Sequence, residues 1–260
     1  MIKFFRKIRQ NLLSEGKTGK YFKYAIGEII LVVIGILIAL SINSWNQKRL
    51  DHQEENEILS NLKKDYINAV EEFRILNSLR SSFISTAKEI TLLNVEEIDQ
   101  YPEKYMDSLF GWTLYAPTFN NDAGSLSVLL NTGKINLIRN TELRNILIAW
   151  PGDVADMVED EISDNNFYNN DYKNILSDYI SVNNLTESNV TLWSRFGTPT
   201  FAKMPDNQIL TSDYESILRN KKFLNFLHFR VRVQSGTYQE TEYLIGKAED
   251  IIQMIDLELD

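Results

Sequence analysis

Three short segments of the sequence match the motifs with which serine β-lactamases and penicillin-binding proteins carry out acyl transfer. Ser85 and Lys88 have the spacing of that nucleophile and its lysine, residues 163–165 read Ser-Asp-Asn, and residues 17–19 read Lys-Thr-Gly. The third motif should come last in the chain but comes first, and the Ser-x-x-Lys spacing recurs elsewhere. Because no other grouping of nucleophile, base and orienting residue is evident, the sequence predicts no catalytic activity.

Acidic side chains recur every three or four residues from Asp153 to Asp164, which puts them on one face of a predicted helix. Carboxylates suit calcium, but the stretch has no glycine-containing calcium loop, and no Glu-x-x-His pair indicates a di-iron site. The chain has no cysteine and only two histidines. We therefore expect a solvated helix face, no metal and no cofactor. The stripe comprises Asp153, Asp156, Asp160 and Asp164, with Glu159 and Glu161 beside it.

Two groups of aromatic side chains could line a ligand pocket, because such pockets are mostly apolar with a few polar groups. Large rings also commonly fill the space between irregular segments, so core packing is the competing interpretation. The first group comprises Trp112, Tyr115 and Phe119 around Pro117, and the second comprises Trp193, Phe196 and Phe201.

Charge is divided unevenly along the chain. Up to Lys23 there are seven basic residues and one acid, Glu15, whereas from Trp45 onward twenty basic residues face thirty-four acids. The acidic part would repel a phosphate backbone, which argues against nucleic acid as a partner. The basic part before an apolar run instead indicates a membrane orientation.

The apolar run from Tyr24 to Trp45 is long enough to cross a bilayer, at about 33 Å for a helix rising roughly 1.5 Å per residue. Tyr21 and Tyr24 on one side and Trp45 on the other are suited to the headgroup level. Positive charge stays cytoplasmic during insertion, which predicts a bacterial inner-membrane protein with a cytoplasmic N-terminus and a periplasmic C-terminal domain. The predicted parts are a basic amphipathic leader (1–23), a transmembrane helix (24–45) and an acidic helical extracytoplasmic domain (46–260).

A cleaved signal peptide is the alternative to a retained anchor, because residues 39–41 read Ala-Leu-Ser, like a cleavage site. The long charged leader favours retention. Its apolar and basic residues fall on opposite faces, as in a helix that lies in the membrane surface.

One face of the predicted transmembrane helix carries mostly small residues at intervals of four, an arrangement that permits close approach of a second helix. Glu28 belongs to this face, near its cytoplasmic end. Its carboxylate either reaches the inner headgroup layer or contacts another protomer or membrane partner. The helix-packing face comprises Gly27, Glu28, Leu31, Gly35, Ala39 and Asn43.

The basic opening FFRKIRQ, the span YAIGEIILVVIGILIALSINSWN, the segment LLNTGKINLIRNTELR and the acidic C-terminus together resemble a known family. That family consists of small single-pass bacterial membrane proteins whose domain has no known function. The likeness is strongest over residues 1–50. The resemblance implies an inner-membrane location and brings no activity and no functional residues.

Two long heptad seams indicate an all-α fold, in which the transmembrane helix continues into a stalk helix and a helical bundle follows. Each seam alternates steps of three and four, and each can bury its apolar side against the other. A strand over residues 227–233 is the local alternative. The first seam comprises Leu59, Leu62, Tyr66, Ala69, Phe73, Leu76, Arg80, Phe83, Ala87 and Ile90. The second comprises Leu224, Leu227, Val231, Gln234, Tyr238, Thr241, Ile245, Ala248, Ile252, Ile255 and Leu259.

Shorter helices are predicted between the seams. One follows Pro102, one ends at a left-handed Gly133, one ends at Pro151, and one begins at a capping box of Ser212 with Glu215. Further predictions are a helical region over residues 154–180 and a loop over residues 183–207.

Two functional hypotheses remain open. The first is a membrane-anchored structural or interaction protein, whose partners are the lipid bilayer and either a second copy or another envelope membrane protein. The second is an extracytoplasmic ligand-sensing module that acts through a partner.

Overall fold

The computed structural model describes residues 18–114, 116–120, 124–185 and 210–259. Every regular element in these ranges is helical, which confirms the all-α prediction. The chain forms two units, residues 1–57 and residues 58–260. The α-helices are α1 (Thr18–Leu92), α2 (Glu103–Trp112), α3 (Gly124–Asn131), α4 (Thr141–Phe167), α5 (Lys173–Tyr179), α6 (Val182–Leu185), α7 (Tyr214–Arg219) and α8 (Lys221–Leu259). Two 3-10 turns span Val95–Gln100 and Lys134–Leu137, and a π-turn spans Tyr168–Tyr172.

The first unit contains the start of α1, whose apolar side chains lie on the surface. The large apolar residues between Ile26 and Ile42 are 45 to 63% exposed. This helix is long and apolar enough to span a membrane, as the sequence predicts.

In the second unit, the rest of α1 buries the predicted seam. Leu59, Phe73 and Ile90 are fully or almost fully buried, and Ala69 is half-buried. Each large apolar side chain contributes about 1.5–3 kcal/mol when it leaves water. The one charged member of the seam, Arg80, is buried as well.

The seam predicted for α8 is half correct. Leu227, Gln234, Thr241, Ile245, Ala248 and Ile255 are buried as predicted. At most other positions of the seam the buried residue lies one position before the predicted one. The prediction follows apolar residues such as Val231 and Tyr238, which are only half-buried, because the buried residues next to them are polar. The buried alternates are Phe223, Arg230, Thr237, Leu244 and Ile251. The strand alternative for residues 227–233 is wrong, because α8 covers them.

Helix α8 runs antiparallel to α1. Lys63 Nζ lies 2.6 Å from Asp256 Oδ1, and further along α1 Arg80 donates to Thr241 Oγ1 at 3.0 Å. Helix α4 completes the bundle and runs parallel to α1, because Trp150 contacts Tyr66 with ring centroids 5.0 Å apart while the later Glu161 contacts Arg80.

The predicted end of a helix at Pro151 is wrong, because α4 continues through it to Phe167. A proline inside a helix costs about 3 kcal/mol, since it removes one hydrogen bond and crowds the preceding turn. Pro151 lies on the exposed face, whereas Leu147, Trp150 and Val154 keep the buried face continuous across it. Burial of three such side chains outweighs the penalty of one proline.

The predicted capping box is also wrong. Asp213 is the N-cap of α7, because its Oδ1 accepts a hydrogen bond from Ser216 N at 2.9 Å. Ser212 Oγ instead accepts from Ser181 N at 3.1 Å, which joins this segment to the end of α5.

Other short elements agree with the predictions. Helix α2 has Pro102 as its N-cap, and Gly133 follows α3 with a left-handed φ of 70°. The helical region over residues 154–180 is interrupted only by the π-turn. The predicted loop begins within α6, and residues 186–209 lie outside the described ranges.

The core of the second unit consists of two apolar clusters. Cluster 1 lies around Phe73, Trp150 and Ile251, and cluster 2 lies around Phe83, Phe110 and Phe223. In α1, α4 and α8 the buried residues between the two clusters are polar, which defines the level of the site described below.

We expect two glycine variants to change stability in opposite directions. Gly152→Ala should raise the free energy of unfolding by about 1 kcal/mol, because a glycine inside a helix is destabilising and a Cβ there meets nothing within 4 Å. Gly133→Ala should lower it by about 1–2 kcal/mol, because φ is +70°. Chemical denaturation of the full-length chain in detergent micelles measures both, and an equal sign for the two variants would contradict the fold.

Candidate functional site

The predicted helix-packing face is open on α1. Leu31, Gly35, Ala39 and Asn43 are exposed, and a Cβ added at Gly35 would meet nothing within 4 Å. Gly27 and Glu28 are half-buried at one end of the face. Of the predicted headgroup aromatics, Trp45 is 67% exposed, and the side chains of Tyr21 and Tyr24 lie outside what the structure describes.

Of the predicted pocket aromatics, Phe119 is buried against Phe73, with ring centroids 4.3 Å apart. It lines a cleft of about 240 Å³ together with Tyr66 and Trp150. Trp112 is half-buried at the end of α2 and is not among the described residues that line this cleft. Tyr115 and the second aromatic group lie outside the described ranges.

The acidic stripe of α4 is solvated only in part, whereas the sequence predicted a solvated face throughout. Asp156 is exposed, but Asp153 pairs with Lys247 of α8. Glu161 and Asp164 are buried, because the helix turns this part of the stripe towards two arginines of the interior.

These two carboxylates belong to a buried polar layer that lies between cluster 1 and cluster 2. Three helices supply most of it, because the apolar seam of each is interrupted by polar residues at the same level. The layer comprises Asn77, Arg80, Thr113, Glu161, Asp164, Arg230, Gln234, Thr237 and Thr241, all of which are buried.

One half of the layer joins α1 to α4. Arg80 Nη2 donates to Glu161 Oε1, and its Nη1 donates to Asn77 Oδ1 and Thr241 Oγ1, both at 3.0 Å. Glu161 Oε2 accepts from the backbone N–H of Phe119 at 2.8 Å. Burial raises the pKa of Glu161, and the Phe119 N–H and the Arg80 charge act against that rise by favouring the ionised form.

The other half joins α8 to α4. Arg230 binds Asp164 with two parallel hydrogen bonds, from Nε to Oδ1 at 3.1 Å and from Nη2 to Oδ2 at 3.0 Å. Its Nη1 donates to Thr113 O at 2.5 Å, and Gln234 Nε2 donates to Asp164 Oδ2 at 2.8 Å. This fork geometry is the strongest form of an arginine–carboxylate contact.

Aromatic rings enclose the same arginine. The guanidinium carbon of Arg230 lies 4.7 Å from the ring centre of Phe83 and 5.0 Å from those of Tyr168 and Tyr172. Both tyrosines lie on the π-turn, where an extra residue per turn shifts the side chains around the helix axis. Cation–π attraction in a desolvated site contributes about 2 kcal/mol.

The chemistry of the layer is mutual charge compensation. Two cations and two anions are held inside the bundle, and each carboxylate also accepts a bond from a backbone N–H or an amide. The sequence analysis lists Arg80 and Gln234 among the seam residues but leaves Arg230 out of the seam. A search for polar interruptions at matching levels of the two seams could have found it.

Part of the chain is similar to one protein family. Residues 28–152 match a family model whose description is a family of unknown function, DUF6090. The match covers just under half of the chain and confirms the predicted resemblance to a domain of unknown function. It includes Arg80 but ends before Glu161, Asp164 and Arg230. No curated protein and no solved structure matches the chain.

We expect removal of one charge from the layer to be far more damaging than removal of a surface charge. Glu161→Gln and Asp164→Asn should each lower the free energy of unfolding by about 3–5 kcal/mol, because each leaves a buried arginine uncompensated. Glu249→Gln, which breaks the exposed contact with Arg74, should cost about 1 kcal/mol or less. Denaturation of the full-length variants in detergent compares them, and similar costs at buried and exposed sites would contradict the burial described.

We expect the protein to lose stability above pH 10. Burial raises the pKa of Tyr66, Tyr172 and Tyr214, and the Glu89 contact raises the pKa of Tyr105 to about 12. The unfolded tyrosines ionise near pH 10. Between their unfolded and folded pKa values the unfolded chain therefore binds fewer protons, and the free energy of unfolding falls as pH rises.

Denaturation at pH 8, 10 and 11 measures this slope, and tyrosinate absorbance of the folded protein measures the ionisation itself. Tyr172→Phe should make the slope shallower. A folded protein in which all tyrosines ionise near pH 10 would contradict the prediction.

Proposed function

We propose that the chain is a membrane-anchored interaction protein of the bacterial envelope, without catalytic activity, that self-associates or forms part of a larger complex. The observation that carries the proposal is the start of α1, whose apolar surface is exposed over a length sufficient to span a bilayer. Burial of apolar surface of this extent requires either lipid or another protein.

The charge distribution supports an orientation. The basic residues before α1 favour a cytoplasmic N-terminus in the inner membrane, and the acidic remainder then lies in the periplasm. In this orientation residues 46–260 form the periplasmic domain.

The packing face of α1 supports self-association or contact with another membrane helix. Gly35 and Ala39 leave room for a second backbone to approach, and small residues at this spacing are typical of helix–helix contacts in membranes. The charges of the polar layer are compensated within the bundle, so that contacts with partners are left to the surface.

Ligand sensing through a partner is the second candidate, favoured by the cleft at Phe119, Tyr66 and Trp150. An apolar ligand that bound there would contact both α1 and α4. A thermal-shift screen of small apolar and amphiphilic ligands tests this candidate, and a shift that Trp150→Ala abolishes would support it.

Cysteine crosslinking in intact cells tests the first candidate, because the chain has no cysteine of its own. Single cysteines at Leu31, Gly35 and Ala39 should crosslink between copies, whereas those at Val33 and Leu37, on the opposite face, should not. A membrane-impermeant maleimide should label Ser81→Cys in spheroplasts but label Ser14→Cys only after lysis.

A matched pair of enlarging substitutions completes the experiment. Gly35→Leu should reduce crosslinking between copies at Ala39→Cys at least fivefold, whereas Ser41→Leu, on the other face, should not. Crosslinks to a single other envelope protein would indicate a subunit of a larger complex. Equal crosslinking on all faces, or no crosslink to any protein, would contradict the proposal.

A further inference from the structure

The first half of α8 carries a cationic surface in an otherwise acidic domain. From Lys221 to Gln239 the helix contains lysine, arginine and histidine but no acid, and the next acid is Glu240. The cations Lys221, Lys222 and Arg232 are exposed, as is the imidazole of His228. The exposed cations therefore lie on one part of the bundle surface.

Aromatic rings lie among these cations. Phe229 is 60% exposed, and Phe226 and Phe167 are half-buried. Phe167 contacts both of the others, with ring centroids 4.8 Å from Phe226 and 6.2 Å from Phe229. Lys222 Nζ lies 5.3 Å from the centre of the Phe226 ring. Lys222, Phe167, Phe226 and Phe229 thus form one contiguous cationic–aromatic surface.

We propose that this cationic–aromatic surface is a docking site for an acidic segment of another protein that inserts an apolar side chain between the phenylalanine rings. The proposal rests on the proposed function, since it names the surface and the partner chemistry of an interaction protein. Carboxylates of the partner would pair with Lys221, Lys222 and Arg232, and the apolar side chain would cover Phe229. Aromatic anchors ringed by charge are the usual composition of interaction sites.

A second copy of this chain fits the surface less well. Copies anchored in one membrane are parallel, so that the cationic part of α8 lies level with the cationic part of its neighbour. The acidic residues of α8, from Glu240 to Glu258, begin more than two turns further along the helix. Copies that met through the first halves of their α8 helices would therefore bring like charges together, which favours a different, acidic protein.

The test uses two defined probes and the full-length chain. The probes are a fluorescent peptide of six glutamates around two central leucines, and the same peptide with lysines in place of the glutamates. We expect the acidic peptide to bind with a dissociation constant that rises at least tenfold between low and high salt. The lysine peptide should not bind.

Substitutions on and off the cationic–aromatic surface test where the acidic peptide binds. Lys222→Glu and Phe229→Ala should each raise the dissociation constant of the acidic peptide at least fivefold. The matched controls are Lys88→Glu, an exposed lysine of α1, and Tyr243→Ala, an aromatic of α8 that is 63% exposed outside the surface. Binding that the controls reduce equally, or no binding at all, would overturn the proposal.

Photocrosslinking in cells from a benzophenone attached at Asn225→Cys identifies the natural occupant. A crosslinked peptide from another protein, rich in Asp or Glu and containing an aliphatic or aromatic residue, supports the proposal when Phe229→Ala abolishes it. Crosslinks to a second copy or to residues 186–209 of the same chain would overturn it. If these experiments fail while the Gly35-dependent crosslinks persist, the docking surface is wrong and the proposed function stands.

Discussion

Two arginine–carboxylate pairs in the polar layer join the three long helices of the bundle, and the alignment of the apolar seams on either side of the layer depends on these pairs. Taking these charges out of water costs several kcal/mol for each ion, and their attraction repays this only with good geometry. The geometry is good at Arg230, where Asp164 accepts two parallel bonds and three rings cover the guanidinium. The net contribution to stability is therefore small.

What the layer supplies is discrimination between alternative packings. Apolar heptad seams can slide by seven residues at modest cost, because each seam position meets another apolar residue. If α8 slid by one heptad so that Glu249 came opposite Lys63, Phe223 and Leu227 would replace Arg230 and Gln234 beside Asp164. The carboxylate would then be buried without a cation, at about 3–5 kcal/mol.

Sequence patterns predicted the fold class and the first seam because apolar side chains repeat at helical spacing from Leu59 to Ile90. They misplaced half of the α8 seam and both carboxylates of the layer for one physical reason. Arg230, Glu161 and Asp164 look like surface residues individually and become interior residues only when paired, and pairing depends on helices that are far apart in sequence. The helix end predicted at Pro151 is wrong for a related reason. Burial of apolar side chains before and after Pro151 outweighs the local cost of a proline inside a helix.

The charges of the layer are paired with one another inside the bundle and position its helices. The two surfaces for which we propose partners, the helix-packing face of α1 and the cationic–aromatic surface of α8, lie outside the layer. The match to a family of unknown function covers the apolar part of α1 and Arg80 but not the later residues of the layer or that surface.

The most direct test of this account is the register of α8 when the layer is made apolar. The apolar variant carries Arg80→Met, Glu161→Leu, Asp164→Leu and Arg230→Met. Two pairs of cysteines are introduced separately and crosslinked with a short bismaleimide. One pair replaces Lys63 and its native partner Asp256, and the other replaces Lys63 and Glu249, which lies one heptad away. We predict that the parent chain forms only the crosslink of the native pair. The apolar variant should unfold at a similar denaturant concentration but form both crosslinks, because α8 then occupies two registers. An apolar variant that crosslinks only the native pair would contradict the account.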